Sequence, residues 1–202
     1  STGAPILWSW YLNTVKNITA IPRLLGTPNT EAAFVLNHWN LEQPELLGPL
    51  AENDPVIIVD TNNPDELPEN INTADIRAII DHHKLVGGLE TKAPIDITVR
   101  PLACTATIML DLMGTAVAAQ MPKDIKGVAL SCILSDTLEF RSPTTTDHDR
   151  AVAEKLAADL DVSIPAYAAK MFAAKSDVSA FSDAALLRMD SKEFTIRETK
   201  LR

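Results

Sequence analysis

The sequence predicts an α/β fold built on an open, mostly parallel sheet with helices on both faces. Two nearly continuous apolar runs, residues 55–59 and 76–80, are typical of strands that are buried on both sides of a parallel sheet. Helical patterns surround these runs at a spacing suited to crossover connections. Because open sheets of this kind bind ligands at the carboxyl ends of their strands, we expect functional groups directly after the two runs.

The other elements follow from hydrophobic spacing and from capping residues. Apolar residues at helical spacing predict a first helix that begins almost at the first residue, with Ser1 and Thr2 as candidate caps. A short β-like stretch at 18–24 follows. Thr146 opens a stretch that resembles a capping box and predicts a helix reaching residue 160. We expect a third strand at 95–100 and further helices at 30–39, 105–113, 123–137 and 165–175.

The length of 202 residues suffices for one substantial core and the start of another. We interpret residues 1–175 as the first domain. The polar stretch 176–183 is interpreted as a linker, and residues 184–202 as the beginning of a second α/β domain.

Composition restricts the classes of partner. The net charge of −9 provides no basic surface for a nucleic-acid backbone. No apolar run reaches the roughly 18 residues of a membrane span, and the first residues do not resemble a signal peptide. Cys104 and Cys132 have neither the density of a disulfide framework nor the spacing of a zinc site. We therefore expect a cytoplasmic protein with reduced thiols and with neither nucleic-acid nor membrane partners.

Acidic and imidazole side chains follow both apolar runs. Asp60 comes directly after the first run, and Asp81, His82 and His83 come at the end of the second. An aspartate at this position also commonly caps a helix, so Asp60 alone is weak evidence. The adjacent histidines are more specific, because one imidazole can bind a metal ion while the other faces an anion.

Asp136 lies in a strongly apolar helical segment, where an ionised carboxylate costs several kcal/mol unless it is paired or bound to metal. The alternative is a hydrated position at the helix end. Together, carboxylates and imidazole are typical ligands of divalent ions that activate water against phosphorus. Asp60, His82 and Asp136 fit these roles.

Four other residues are weaker candidates for functional roles. His38 and His148 lie near the ends of predicted helices, which favours surface or capping roles. Cys104 and Thr105 open a helix whose backbone amides could meet a phosphate, although packing is the simpler interpretation.

Six short motifs carry a resemblance to a known family. In this order and spacing they closely resemble the family II, manganese-dependent inorganic pyrophosphatases of the DHH phosphoesterase superfamily. D-H-H alone is shared with exonucleases and phosphodiesterases of that superfamily, whereas D-S-K-E-F narrows the choice. The motifs are V-D-T-N at 59–62, D-H-H at 81–83, R-P-L-A-C-T-A-T at 100–107, S-D-T at 135–137, S-P-T-T-T-D at 142–147 and D-S-K-E-F at 190–194.

The resemblance implies a role for each candidate residue. Asp60 would bridge two metal ions, His82 and Asp136 would complete the shell of one, and His83 and Lys192 would hold substrate phosphate. The implied cofactor is Mn²⁺, two or more ions, with Mg²⁺ or Co²⁺ as alternatives. The implied reaction is hydrolysis of pyrophosphate to two phosphates by a hydroxide that two metal ions activate, in a homodimer.

Three departures from the family pattern bear on activity. The family's opening G-H-x-x-P-D-x-D loop, with one histidine and two aspartate ligands, has no counterpart in these residues, and neither does a basic R-K pair of its second domain. Thr61 stands where many members have histidine. We therefore expect these 202 residues alone to be an incomplete, poorly active portion of an enzyme. The alternatives are a phosphodiesterase acting on short nucleotides and a non-catalytic metal- or nucleotide-binding module.

Overall fold

A three-stranded parallel sheet organises the chain. The computed structural model describes residues 2–176, 194–196 and 199–201. Strands β1 (Pro55–Val59), β2 (Asp75–Asp81) and β3 (Asp96–Val99) are hydrogen-bonded in the order β1-β2-β3, all parallel. Val59 lies beside Ile80. The carboxyl ends of β1 and β2 therefore meet at one edge of the sheet, and the three predicted strands are confirmed to within one residue.

The connections between these strands are short. Residues 60–74 join β1 to β2 through two 3-10 helices, Pro64–Glu66 and Ile71–Thr73, and residues 82–95 join β2 to β3 without an α-helix. The Asn63 side chain caps the first 3-10 helix by accepting a hydrogen bond from the Asp65 N–H. These crossovers are thus more compact than the helical ones that the sequence pattern suggested.

The described residues also form seven α-helices. The predicted helices are confirmed to within one residue, and the capping box at Thr146 is present. Helix α4 was not predicted, because its six residues are too few to show a helical period. The helices are α1 (Gly3–Thr14), α2 (Thr30–His38), α3 (Thr105–Met113), α4 (Thr115–Gln120), α5 (Lys123–Thr137), α6 (Asp147–Leu160) and α7 (Ile164–Ser176).

Two local predictions are wrong. Thr2 precedes α1, but its side chain makes no capping hydrogen bond, and Ser1 lies outside the described residues. Residues 18–24 form no strand, although Leu24 makes one isolated bridge. The reason is local: the Asn13 side chain donates to the Ala20 carbonyl at 2.7 Å and accepts from the Ala20 N–H at 2.9 Å. The side-chain amide thereby takes the place of a strand partner.

The sheet separates two apolar regions. The main core packs α1, α3, α5 and α6 against Ile80, and its largest fully buried side chains include Leu7 and Met109. The opposite face of the sheet buries Ile58 and Ile76 in a smaller cluster that the 3-10 segment covers. Apolar residues of β1 and β2 are therefore buried on both faces, as the apolar runs predicted, whereas Ile97 and Val99 of β3 are exposed.

The end of the chain is described only in part. Strands β4 (Phe194–Ile196) and β5 (Thr199–Leu201) pair antiparallel in a separate sheet. Helix α7 extends to Ser176, the first residue of the predicted linker, and the rest of that linker lies outside the described residues. Within the described residues, none of the helices has the length and apolar character to cross a membrane.

Candidate metal centre

Asp60, the first residue of the site along the chain, has a backbone conformation that non-glycine residues rarely adopt. It follows β1 directly with φ = 65°, in the left-handed region, and its N–H donates to the Ile80 carbonyl at 2.9 Å. Such a conformation costs on the order of 1–3 kcal/mol and is concentrated at functional sites. The cost is lower for aspartate than for most residues. The side chain is 12% exposed, so the carboxylate is available at the strand end but shielded from bulk water.

His82 faces Asp60 from the end of the neighbouring strand. Its Nε2 lies 3.8 Å from Asp60 Oδ1, and its Nδ1 lies 3.2 Å from the Leu102 carbonyl oxygen. Because a carbonyl oxygen only accepts, Nδ1 carries the proton in this hydrogen bond. In the neutral ring the lone pair is then on Nε2, toward Asp60. Metal-binding histidines commonly have this arrangement, in which an outer hydrogen bond fixes the tautomer.

Asp81 is fully buried and orients both histidines. Its Oδ1 accepts from the His82 N–H at 2.8 Å, from the His83 N–H at 3.2 Å and from His83 Nδ1 at 2.7 Å, while its Oδ2 accepts from Asn62 Nδ2 at 2.6 Å. Burial by itself would raise the pKa of Asp81. The hydrogen bonds, led by those from His83 and Asn62, outweigh burial and lower this pKa. The carboxylate is therefore a charged positioning group.

Asn62 completes the support of Asp81 from the β1 side. It is almost fully buried, and its side chain also donates to the Lys84 carbonyl at 3.0 Å and accepts from the Val86 N–H at 2.9 Å. Sequence reasoning missed the roles of Asn62 and Asp81. The signal was present, since both are polar residues next to buried runs, but sequence does not distinguish a ligand from a residue that orients one.

His83 differs electrostatically from His82. Burial lowers the pKa of His83, but the hydrogen bond to Asp81 and the charges of Asp81, Asp60 and Glu66 raise it above its usual value overall. A ring that holds its proton more strongly is a poorer metal ligand and a better partner for an anion. His83 is also more than half exposed. Its environment therefore favours contact with an anionic ligand.

Asp136 lies near the end of α5 and faces the same region. Its pKa is raised from 3.8 to about 6, first because the protein around its carboxyl excludes water and then because Asp60 is negatively charged. A hydrogen bond with Cys104 and the proximity of His82 act in the opposite direction. The residue as a whole is exposed and lines the cavity, whereas protein atoms surround its carboxyl group closely enough to raise the pKa. Its carboxyl thus sits where a cation would be stabilising.

The distances define a group of three that differs from the predicted metal ligands Asp60, His82 and Asp136 in one member. One ligand atom from each of Asp60, His82 and His83 lies within 4.8 Å of the others. Among the described residues, Asp136 does not belong to this tight group, although it lines the same cavity. Carboxylate oxygen and imidazole nitrogen form a donor set that suits Mn²⁺ and similar divalent ions. The residues present therefore fit a metal ion, with Asp60 and His82 as its nearest candidate ligands.

A large cavity opens beside these groups. Its volume is about 1570 Å³, and its walls include Asp60, His82, His83 and Asp136 together with parts of α1, α2 and β1. This volume exceeds that of most small-molecule pockets.

Thr61 is hydrogen-bonded to Glu66 in the turn that follows β1. Its side chain is buried and donates to Glu66 Oε2 at 2.6 Å, while its hydroxyl oxygen accepts from the Asn63 N–H at 3.1 Å. Thr61 therefore stabilises the turn after β1 and holds an additional carboxylate beside the cavity, which Glu66 also lines.

The other candidate residues lie elsewhere. His38 packs against Phe34 and Tyr167 with ring centroids 5.4 and 5.0 Å away, and His148 Nε2 lies 2.8 Å from Asp111 Oδ1 on the surface. Among the described residues, the cavity walls include neither Cys104 nor Thr105, which agrees with packing roles. Lys192 lies outside the described residues. Cys104 is buried, Cys132 is half-buried, and neither forms a disulfide in the described part of the chain.

Two curated relatives match most of this chain. A protein of Deinococcus radiodurans, named a probable manganese-dependent inorganic pyrophosphatase, is 44% identical over 171 residues, which are 84% of this chain and 54% of that protein. A protein of Oceanobacillus iheyensis with the same name is 37% identical over 190 residues, which are 94% of this chain and 61% of that protein. The chain thus spans little more than half the length of the curated relatives it matches.

A solved structure agrees with the fold. The crystal structure of a Methanococcus jannaschii protein, described as a candidate family II inorganic pyrophosphatase, matches with a TM-score of 0.82 and 31% identity, covering 99% of this chain and 66% of that one. Residues 2–135 also match the family model described as the DHH family, N-terminal domain. That match includes the D-H-H triplet and more than half of the chain, and so the chain belongs to the DHH family.

Proposed function

We propose that this chain is the metal-binding part of an inorganic pyrophosphatase that hydrolyses pyrophosphate to two phosphates. The observation that carries the proposal is the meeting of Asp60 and His82 at adjacent strand ends, with His83 beside them as a more basic imidazole. In this proposal a metal site and an imidazole that attracts anions would be combined in one place. The names of the relatives, manganese-dependent inorganic pyrophosphatases, support the same substrate and metal.

The proposed cofactor is Mn²⁺, in two or more ions, with Mg²⁺ or Co²⁺ as possible substitutes. Asp60 is the proposed bridging ligand, and His82 and Asp136 are the proposed ligands of one ion. Bound divalent ions lower the pKa of water and neutralise phosphate charge, which is the chemistry that hydrolysis of a phosphoanhydride requires. Leu102 and Asp81 would keep the imidazoles in place during the reaction.

His83 and Lys192 are the proposed phosphate ligands. The hydrogen bond between His83 Nδ1 and Asp81 leaves Nε2 as the atom that donates to a phosphate oxygen. A protonated imidazole gains more from a polyanion than from a neutral substrate. Lys192 is assigned the same role by its position in the D-S-K-E-F motif.

The remaining assignments of the proposal concern the whole protein. We assign residues 1–175 to the catalytic domain, 176–183 to a linker and 184–202 to the beginning of a domain that closes over substrate. We also assign the protein to the cytoplasm as a homodimer, without nucleic-acid or membrane partners. The acidic composition supports the absence of nucleic acid, and the family resemblance supports the dimer.

The test compares substrates and metals. The complete product of the gene that encodes this chain would be assayed for phosphate release from pyrophosphate and for cleavage of a dinucleotide, each with Mn²⁺, Mg²⁺, Co²⁺ or a chelator. We expect metal-dependent release from pyrophosphate and little cleavage of the dinucleotide. The reverse preference would identify a phosphodiesterase, and no hydrolysis with any metal would identify a binding module.

A further inference from the structure

Asn62 joins the segment that follows β1 to the segment that follows β2. It is 3% exposed, and its Nδ2 donates to Asp81 Oδ2 at 2.6 Å and to the Lys84 carbonyl at 3.0 Å. Its Oδ1 accepts from the Val86 N–H at 2.9 Å. Both N–H groups of the side-chain amide and its oxygen are therefore hydrogen-bonded to residues of the stretch 81–86.

These hydrogen bonds connect the chain on either side of the candidate metal centre. Asp60 lies two residues before Asn62, and His82 follows Asp81, whose Oδ1 accepts from the His82 N–H at 2.8 Å. The Asp60 and His82 side chains belong to different strand ends, yet Asp60 Oδ1 and His82 Nε2 lie 3.8 Å apart. Beyond the end of the sheet, the Asn62 side chain thus directly connects the two segments that present these groups.

The turn that begins at Asp60 depends on contacts with its surroundings, because Asp60 has an unfavourable backbone conformation. Its φ of 65° persists only where the neighbouring structure holds it. The two residues that follow are buried, but they make different contacts. Thr61 is hydrogen-bonded to Glu66 within the same connection, whereas Asn62 is hydrogen-bonded to Asp81 at the end of β2. Asn62 therefore anchors the turn of Asp60 to the neighbouring strand.

Asn72 makes the same kind of contact farther along both connections. Its side chain donates to the Gly88 carbonyl at 2.9 Å and accepts from the Glu90 N–H at 3.0 Å, so it also bonds two backbone groups that are two residues apart. Unlike Asn62, it is exposed, and within the described part of the chain its side-chain hydrogen bonds reach only residues 88–90. Asn72 therefore holds the same loop as Asn62 without contacting the D-H-H triplet.

We propose that Asn62 is a positioning residue of the metal centre, which holds Asp60 and His82 at the separation that a shared metal ion requires. The inference rests on the proposed function, because Asp60 and His82 are proposed metal ligands. Asn62 acts on Asp60 through the turn and on His82 through Asp81. Ligands must be kept close to their bound geometry, and outer groups that orient them typically contribute about 10- to 100-fold to metal affinity.

The test is a titration of the complete gene product with Mn²⁺, in which electron paramagnetic resonance detects the free ion. Asn62→Ala removes all three hydrogen bonds, and Asn72→Ala is the matched control on the same loop. We expect Asn62→Ala to bind Mn²⁺ at least about 10-fold more weakly and Asn72→Ala to bind within about twofold of wild type. Amide hydrogen exchange without metal should accelerate at Val86 in the first variant and at Glu90 in the second, because each N–H loses its acceptor.

Thermal unfolding without metal checks that both variants are folded at the temperature of the titration. If Asn62→Ala does not fold, Asn62→Ser is measured instead with the same expected loss, because one hydroxyl cannot occupy both the donor and the acceptor position of the amide. Equal Mn²⁺ affinity in the Asn62 variant and in wild type would overturn the inference alone, as would equal losses in the Asn62 and Asn72 variants. No Mn²⁺ binding by the wild-type protein would overturn the proposed metal site and the inference with it.

Discussion

His83 Nδ1 lies 2.7 Å from Oδ1 of the fully buried Asp81, and this pair sets the electrostatic character of the exposed imidazole. Asp81 also accepts the backbone N–H groups of both histidines. Buried Asp81, the first residue of the D-H-H triplet, therefore holds the backbone of both histidines and the ring of His83 by hydrogen bonds. The arrangement gives the two histidines different surroundings, because only the His83 ring is hydrogen-bonded to Asp81, whereas the His82 ring is hydrogen-bonded to the Leu102 carbonyl.

Asp81→Asn should lower the pKa of His83. The hydrogen bond to Asp81 and its negative charge both raise this pKa, and the substitution removes the charge. The measurement is an NMR titration of the His83 ring without metal. Asp75→Asn, at the other end of β2 and paired with Arg77, is the matched control and should leave the titration unchanged. An unchanged titration in Asp81→Asn would contradict the assigned cause.

Asp149→Ala should destabilise the fold by roughly 2–4 kcal/mol, because donors from Ala103 and Thr107 become unsatisfied in a buried place. Asp147→Ala, in the same helical turn but exposed, should cost less than about 1 kcal/mol. Urea unfolding measures both. Equal losses in the two variants would show that Asp149 acts only through the charge at the start of α6.

The contribution of Asp149 should also depend on pH. Burial tends to raise the pKa of Asp149, but hydrogen bonds led by those from Thr146 and Thr107 lower it below 3.8 in the folded chain. A lowered folded-state pKa stabilises the fold above the unfolded-state value, and this stabilisation is lost as pH falls through the folded-state pKa. The difference in unfolding free energy between wild type and Asp149→Ala should therefore shrink below pH 3.8.

Asp136→Asn should stabilise the metal-free chain near pH 7.5 while weakening Mn²⁺ binding. The folded-state pKa of about 6 exceeds the ordinary 3.8, so the stabilising effect of protonation is complete below 3.8 and is lost as pH rises through about 6. Above that pH the folded chain holds an unfavourable charge, which asparagine removes. Urea unfolding with a chelator at pH 7.5 and at pH 3.5 should show a gain only at the higher pH.

Gly127→Ala should destabilise the chain, although alanine normally favours helices. A Cβ at this position of α5 would lie 2.1 Å from the Trp39 ring, whose Nε1 is fixed by a 2.8 Å hydrogen bond to Tyr167. Overpacking of this kind costs about 1–3 kcal/mol. Gly48→Ala, where a Cβ meets no neighbour within 4 Å, is the control. A Gly127→Ala chain as stable as wild type would mean that Trp39 can move aside.

Much of the fold could be predicted because local signals agreed with the tertiary structure. The apolar run before Asp60 and the capping box at Thr146 each produced the expected element. The strand predicted at residues 18–24 is wrong because the Asn13 side chain forms hydrogen bonds with the backbone N–H and carbonyl of Ala20. Periodicity does not reveal this contact, which joins residues seven apart in sequence. Helix α4 was not predicted because it is too short to show a helical period in the sequence.

The meeting of Asp60 and His82 was predictable from the sequence, but the residues that support them were not. Asp60 and His82 follow apolar strands, so their meeting at one sheet edge follows from parallel pairing. The contact between the Leu102 carbonyl and His82 Nδ1 joins residues that are far apart in sequence, and no pattern within either segment indicates the other. Asp149 likewise looked like a capping residue alone, whereas it also holds Ala103.

Phosphate release from pyrophosphate by the complete gene product with saturating Mn²⁺ tests the central claim most directly, when His82→Ala is compared with His148→Ala. Both variants remove one imidazole, but only His82 faces Asp60, whereas His148 pairs with Asp111 on the surface. The account predicts that His82→Ala loses at least about 100-fold in rate and that His148→Ala stays near wild type. Equal rates in His82→Ala and wild type would contradict the assignment of the strand-end cluster as the metal centre.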